Sequence, residues 1–162
     1  MIKASTTKIE QQLAEYKATV ERKLKHMVTK FAYEIAQTAI GFTPLGDASE
    51  GSRYEWLYKL RTDLPQEEGI ARGNWRFSFD KNVDVQEISG KDSGSEALRL
   101  FQSQASAYKL GQTFYILNSA PYISALEVDS SLQTNGQGIE KPTNDLVMAT
   151  YKANLQEYYK QG

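Results

Sequence analysis

The chain has no cysteine among its 162 residues. Disulfide frameworks and thiolate-bound metals are thereby excluded, and such a composition suits a reducing cytoplasm. Long apolar runs are missing as well. None reaches the roughly 18 residues needed to span a bilayer. Lys3, Lys8, Glu10, Glu15 and Lys17 break up Met1–Val20, where an export signal would carry its apolar region. A soluble protein without membrane contact is expected. Neither sign of charge is in excess: 19 Lys and Arg face 20 Asp and Glu. Net charge therefore favours neither nucleic acid nor a charged substrate.

Residues for catalysis are scarce. His26 is the single histidine. It falls on the predicted polar side of a helix with Lys23, Lys25 and Lys30, away from any Ser–His–Asp arrangement, and reads as a solvated side chain. Gly69–Gly73 lacks the Lys-Ser/Thr tail of a phosphate loop. Glu67 with Glu68, and Glu127 with Asp129, are the carboxylate pairs that could act as acid and base or hold a divalent ion. They have no motif context and read as solvated charge. No enzyme activity, cofactor or metal site is expected.

What is present is periodicity. Ile9, Leu13, Tyr16, Val20, Leu24, Met27, Val28, Phe31, Ile35 and Ile40 recur mostly at three- and four-residue steps, the stripe of one long helix. Thr7 and Glu10 read as its capping box, Gly41 as its left-handed cap, and Pro44 forbids resumption. A helix over 7–40 is longer than one sheet requires, so part of its stripe is available to a partner chain. Trp75, Phe77 and Phe79 alternate with polar residues, as do Val83, Val85 and Ile88, which predicts two strands. Thr113–Leu117 predicts a third. A short helix is expected through Ala97, Leu98, Phe101, Ala105 and Tyr108, and helical turns over Tyr122–Val128. Asn118 before a turn can bond its own backbone. Pro142 followed by Thr143 reads as the cap of a final helix.

The ten Tyr, six Phe and two Trp could stack single-stranded bases. They are spread over helix and strand stripes, which favours core packing and interfaces. Arg72-Gly-Asn-Trp-Arg76 is the one place where cationic and aromatic surface meet. An edge strand and a phosphate contact both fit it.

Three stretches in order carry a resemblance: Thr43-Pro44 after the long helix; Ala71-Arg72-Gly73-Asn74-Trp75-Arg76 opening a strand; and Phe114 to Tyr122, with Asn118, Pro121 and Tyr122, followed by Leu126-Glu127. The set resembles the tail-completion (neck) proteins of tailed bacteriophages, the family of the minor tail protein Z of phage lambda. Two departures stand out. Leu45–Ile70, about 26 residues, occupies the place of a short family loop, and Val128-Asp129-Ser130-Ser131 stands where the family has Gly and Ser.

The resemblance implies a structural virion protein, made in the host cytoplasm, that completes the end of the tail tube and helps join tail to head. It implies a homo-oligomeric ring, expected to be a hexamer, between a tail terminator or tail tube protein and a head-side connector, with non-specific contact to DNA in the channel. Tail terminator, head-side connector and nucleic-acid-binding accessory protein are the alternatives. Arg72, Arg76, Tyr54 and Trp56 are the candidate interface residues, and Thr43, Pro44, Asn74, Trp75, Asn118, Pro121, Tyr122 and Glu127 the structural motif.

The expected architecture is a single α+β domain over 1–162. A small, mainly antiparallel sheet packs on the long helix (7–40) and a C-terminal helix (143–160). An insertion loop at 45–70, sheet and short helix over 74–128, and a mobile loop at 129–142 complete it.

Overall fold

The computed structural model describes residues 3–44, 69–81, 94–120, 123–128 and 138–161. The expected α+β architecture is present: a two-stranded antiparallel sheet packs with a long N-terminal and a C-terminal helix. The predicted strand through Val83–Ile88, most of the 45–70 and 129–142 loops, and Tyr54, Trp56, Pro121 and Tyr122 lie outside the described residues. Among the described residues no helix is long and apolar enough to cross a membrane.

Helix α1, Lys3–Phe42, runs unbroken for 40 residues, about 60 Å at 1.5 Å per residue. It overruns both expected ends. Thr7 and Glu10 lie inside it, so they are not its capping box, and Gly41 is helical and is not a left-handed cap. What ends the helix is Thr43-Pro44: proline cannot continue it, and the residue before proline disfavours α geometry. Thr43 still donates its N–H to the carbonyls of Ala39 (3.0 Å) and Ile40 (3.2 Å).

After Gly69, whose φ is 84°, the one-turn helix α2 (Ile70–Gly73) forms where irregular loop is expected from the sequence. It leads into β1, Trp75–Ser78, which pairs with β2, Tyr115–Asn118; Trp75 lies opposite Asn118 and Phe77 opposite Ile116. Between the strands lies α3, Ser95–Ala105. Helix α4, Ile123–Val128, follows β2, and α5, Glu140–Gln161, closes the described chain.

Among the described residues, two apolar clusters form the core. In one, Ala39 of α1 meets Ile70, Ala71, Ala120, Leu126 and Ile139. In the other, Ala32 and Ala36 meet Phe77 and Phe101. The small side chains on α1 let the sheet and α3 come close. Gly94 shows how close: with φ at 93°, a Cβ there would overlap the Ile40 side chain. Trp75 packs against both clusters and joins them. Phe79, just past β1, packs on Tyr108 and Phe114 at 6.1 and 4.9 Å between ring centroids.

Helices α1 and α5 run antiparallel, since Lys23 lies over the Tyr159 ring (4.9 Å) and Phe31 against that of Tyr151 (4.4 Å). Tyr158 Oη donates to Glu34 Oε1 at 2.6 Å. That bond to a carboxylate raises the phenol's pKa above its ordinary value, and burial adds in the same direction. His26 departs from the expectation. It is half-buried, and its Nε2 is shut from solvent without a hydrogen-bond partner. The neighbouring lysines made its face look polar, but tertiary packing encloses it.

Candidate functional site

The motif residues that the structure describes are bonded to one another or to the same few backbone segments. Thr43 is fully buried at the end of α1. Its hydroxyl donates to the Ala39 carbonyl (2.7 Å) and accepts from Trp75 Nε1 (2.9 Å). The first bond is available because the hydroxyl reaches back one helical turn. The second pins the opening of β1 to the end of α1. Pro44 is buried beside it.

Asn74 is also fully buried. Its Nδ2 donates to the Ile70 carbonyl (2.9 Å), its Oδ1 accepts from Ser119 Oγ (3.3 Å), and its carbonyl accepts from the Ser119 N–H (3.3 Å). Asn118, across the sheet from Trp75, accepts from the Ala120 N–H through Oδ1 (2.9 Å), the turn expected from its sequence position. Its Nδ2 donates to the Ala71 carbonyl (2.7 Å). The two asparagines thus tie α2 to the turn after β2. A buried amide needs this saturation, because each unpaired group would cost about 1–3 kcal/mol.

Glu127 closes the constellation from α4. Its Oε2 accepts from the Ile139 N–H (2.9 Å) and its Oε1 from the Glu140 N–H (3.0 Å). These amides are among the orphan donors at the start of α5, where a helix favours negative charge. The expected cap, Thr143, is therefore wrong. Helix α5 begins at Glu140, Pro142 sits in its first turn where a missing N–H costs little, and Thr143 is buried with its hydroxyl turned back onto the Ile139 carbonyl (2.6 Å). Gly138 makes room for this. Its φ is 71°, and a Cβ would run into the Glu127 carbonyl and carboxylate. Sequence reasoning singled out Glu127 but missed Gly138 and Ser119, whose partners lie far along the chain.

Comparison with protein-family models, curated proteins and solved structures finds no match. The site must therefore be read from its own geometry.

Among the candidate interface residues, Arg72 donates Nε to the Thr43 carbonyl, and its partial burial lowers the guanidinium pKa. Arg76 Nη1 donates to the carbonyls of Gly73 (2.6 Å) and Trp75 (2.8 Å). Both arginines thus brace the node from its rim while staying half-exposed. Beside the node lies an open cleft of about 430 Å³, lined by Ile35, Trp75, Asn118, Ile123, Glu127 and Ile139, among others. Of the polar side chains that line it, Asn118, Glu127 and Thr143 are bonded to backbone and hold segments together. No group of three or more His, Cys, Asp or Glu that could hold a metal ion occurs among the described residues.

Large apolar side chains nonetheless face solvent. On α1, Ile9, Leu13 and Tyr16 are 62%, 65% and 68% exposed, and on α5 Leu146, Met148, Leu155 and Tyr159 are exposed too.

Proposed function

We propose that the chain is a non-enzymatic structural protein of the head–tail joint of a tailed phage, completing the end of the tail tube. The observation that carries this reading is the convergence of the motif. Thr43, Asn74, Trp75 and Asn118 are scattered along the chain and carry the resemblance, yet each supplies a bond to one node joining α1, α2 and both strands, and Glu127 bonds the start of α5 beside it. The exposed apolar rows on α1 and α5 add surface of the kind that assembly contacts cover.

In this reading the chain forms a ring around the DNA channel, with the tail terminator or tail tube protein on one side and the head-side connector on the other. A cyclic ring is the closed symmetry for such a joint. The test is mass and symmetry, by light scattering and electron microscopy, for the purified chain alone and with isolated tails. A ring bound at the head-proximal tail end is the expected result. Absence of binding to tails, with the protein folded, would reject the role.

A further inference from the structure

The first turns of α1 expose their apolar side chains: Ile9, Leu13 and Tyr16 face solvent. Tyr159 of α5 lies level with Lys23 of α1. In this arm, residues 6–19 are all exposed, about 20 Å of helix at 1.5 Å per residue. Its apolar residues are not randomly placed. Leu13 and Val20 stand seven apart, as do Ile9 and Tyr16, interleaved at steps of four, three and four. This is the a/d seam of two heptads, with Leu13 and Val20 at a and Ile9 and Tyr16 at d. Glu10 and Lys17 fall at the flanking e positions and Gln12 and Thr19 at g.

We propose that this arm pairs with the same arm of a second copy, antiparallel, as a short two-stranded coiled coil. The flanking charges choose the partner and its direction. In an antiparallel pair, e positions face e positions. With Leu13 layered on the partner's Tyr16 and Ile9 on the partner's Val20, Glu10 meets the partner's Lys17, and Lys17 the partner's Glu10. A parallel pair would set Gln12 against Lys17 and make no ion pair. Residues 6–20 hold two lysines and two glutamates, so like arms do not repel. Lys17 is engaged only loosely within its own chain, 3.9 Å from Glu21 with both side chains largely exposed. The antiparallel direction also places the two folded bodies at opposite ends of the paired arms, where they cannot collide. Ordering costs little, because the arm continues a helix that is already anchored by its packed half.

Such a contact is two-fold, whereas a cyclic ring is built from head-to-tail contacts. The pair therefore belongs to the unassembled chain, whose apolar stripe it covers. The inference stands on the arm alone and does not depend on the proposed neck role.

Analytical ultracentrifugation of the full chain over a micromolar concentration series tests it. A monomer–dimer equilibrium is expected, and Leu13→Glu should abolish it while circular dichroism stays unchanged. Lys17→Glu should weaken dimerisation about tenfold or more, since Glu10 would then face glutamate. The double variant Glu10→Lys with Lys17→Glu should restore it by re-forming the same pairs reversed. A chain monomeric throughout the series would overturn the proposal. So would a dimer indifferent to Leu13→Glu, or one weakened by Lys17→Glu but not rescued by the double exchange.

Discussion

Trp75 offers the sharpest test of the bonded node. Its indole packs against both core clusters, and its N–H donates to the Thr43 hydroxyl. Truncating a large aromatic in a core costs about 3–5 kcal/mol, of which the indole hydrogen bond accounts for about 0.5–1.5 kcal/mol. Domains of this kind hold only about 5–15 kcal/mol in total, so Trp75→Ala should lose a large share of the fold's stability. Trp75→Phe keeps most of the apolar contact and loses the bond, for a cost of about 1–2 kcal/mol. Thr43→Val removes the acceptor, so combining it with Trp75→Phe should cost less than the sum by at least about 0.5 kcal/mol. Urea unfolding of the native chain and the four variants measures all of this. A Trp75→Ala loss below about 1 kcal/mol, or strict additivity of the pair, would refute the claim that this residue joins the clusters and clamps α1.

Glu127→Ala should cost about 1–2 kcal/mol through loss of the acceptors at the start of α5, seen in urea midpoint and in faster amide exchange over the first turn of that helix. The two glycines in contrasting settings should respond in opposite directions. Gly138→Ala should destabilise by more than about 1 kcal/mol, since its φ is positive and Glu127 fills the space, whereas helical Gly41, with nothing within 4 Å, should gain about 0.4–1 kcal/mol as alanine. The raised pKa of Tyr158 sets an alkaline limit. Its contribution is fully present below the ordinary phenol pKa of about 10 and is lost as pH climbs through the higher folded value. Thermal stability measured from pH 8 to 11 should therefore fall less steeply in Tyr158→Phe than in the native chain.

The parts legible in the sequence are those whose cause is local. The stripe from Ile9 to Ile40 specifies α1, the alternation at Trp75 and Phe77 specifies β1, and Asn118 announces its own turn. Errors fell where a distant partner decides. Pro142-Thr143 has the chemistry of a helix start, but the capping acceptor comes from Glu127, twelve residues before Ile139. Thr7 and Glu10 have the spacing of a capping box, but helical residues precede them. His26 lies among lysines in sequence, yet neighbours in space bury its Nε2. The candidate site was legible as a set of residues and not as a network. Nothing local says that Thr43 accepts from Trp75, or that Asn118 reaches Ala71.

The neck role itself is tested most directly by head–tail joining in vitro. Phage heads and tails prepared from particles made without this chain are mixed, with and without the purified protein, and joined infectious particles are counted. The proposed function predicts that joining requires the added chain and that the chain is then found at the neck. Equal joining without it, or its recovery anywhere but the head–tail interface, would contradict the reading.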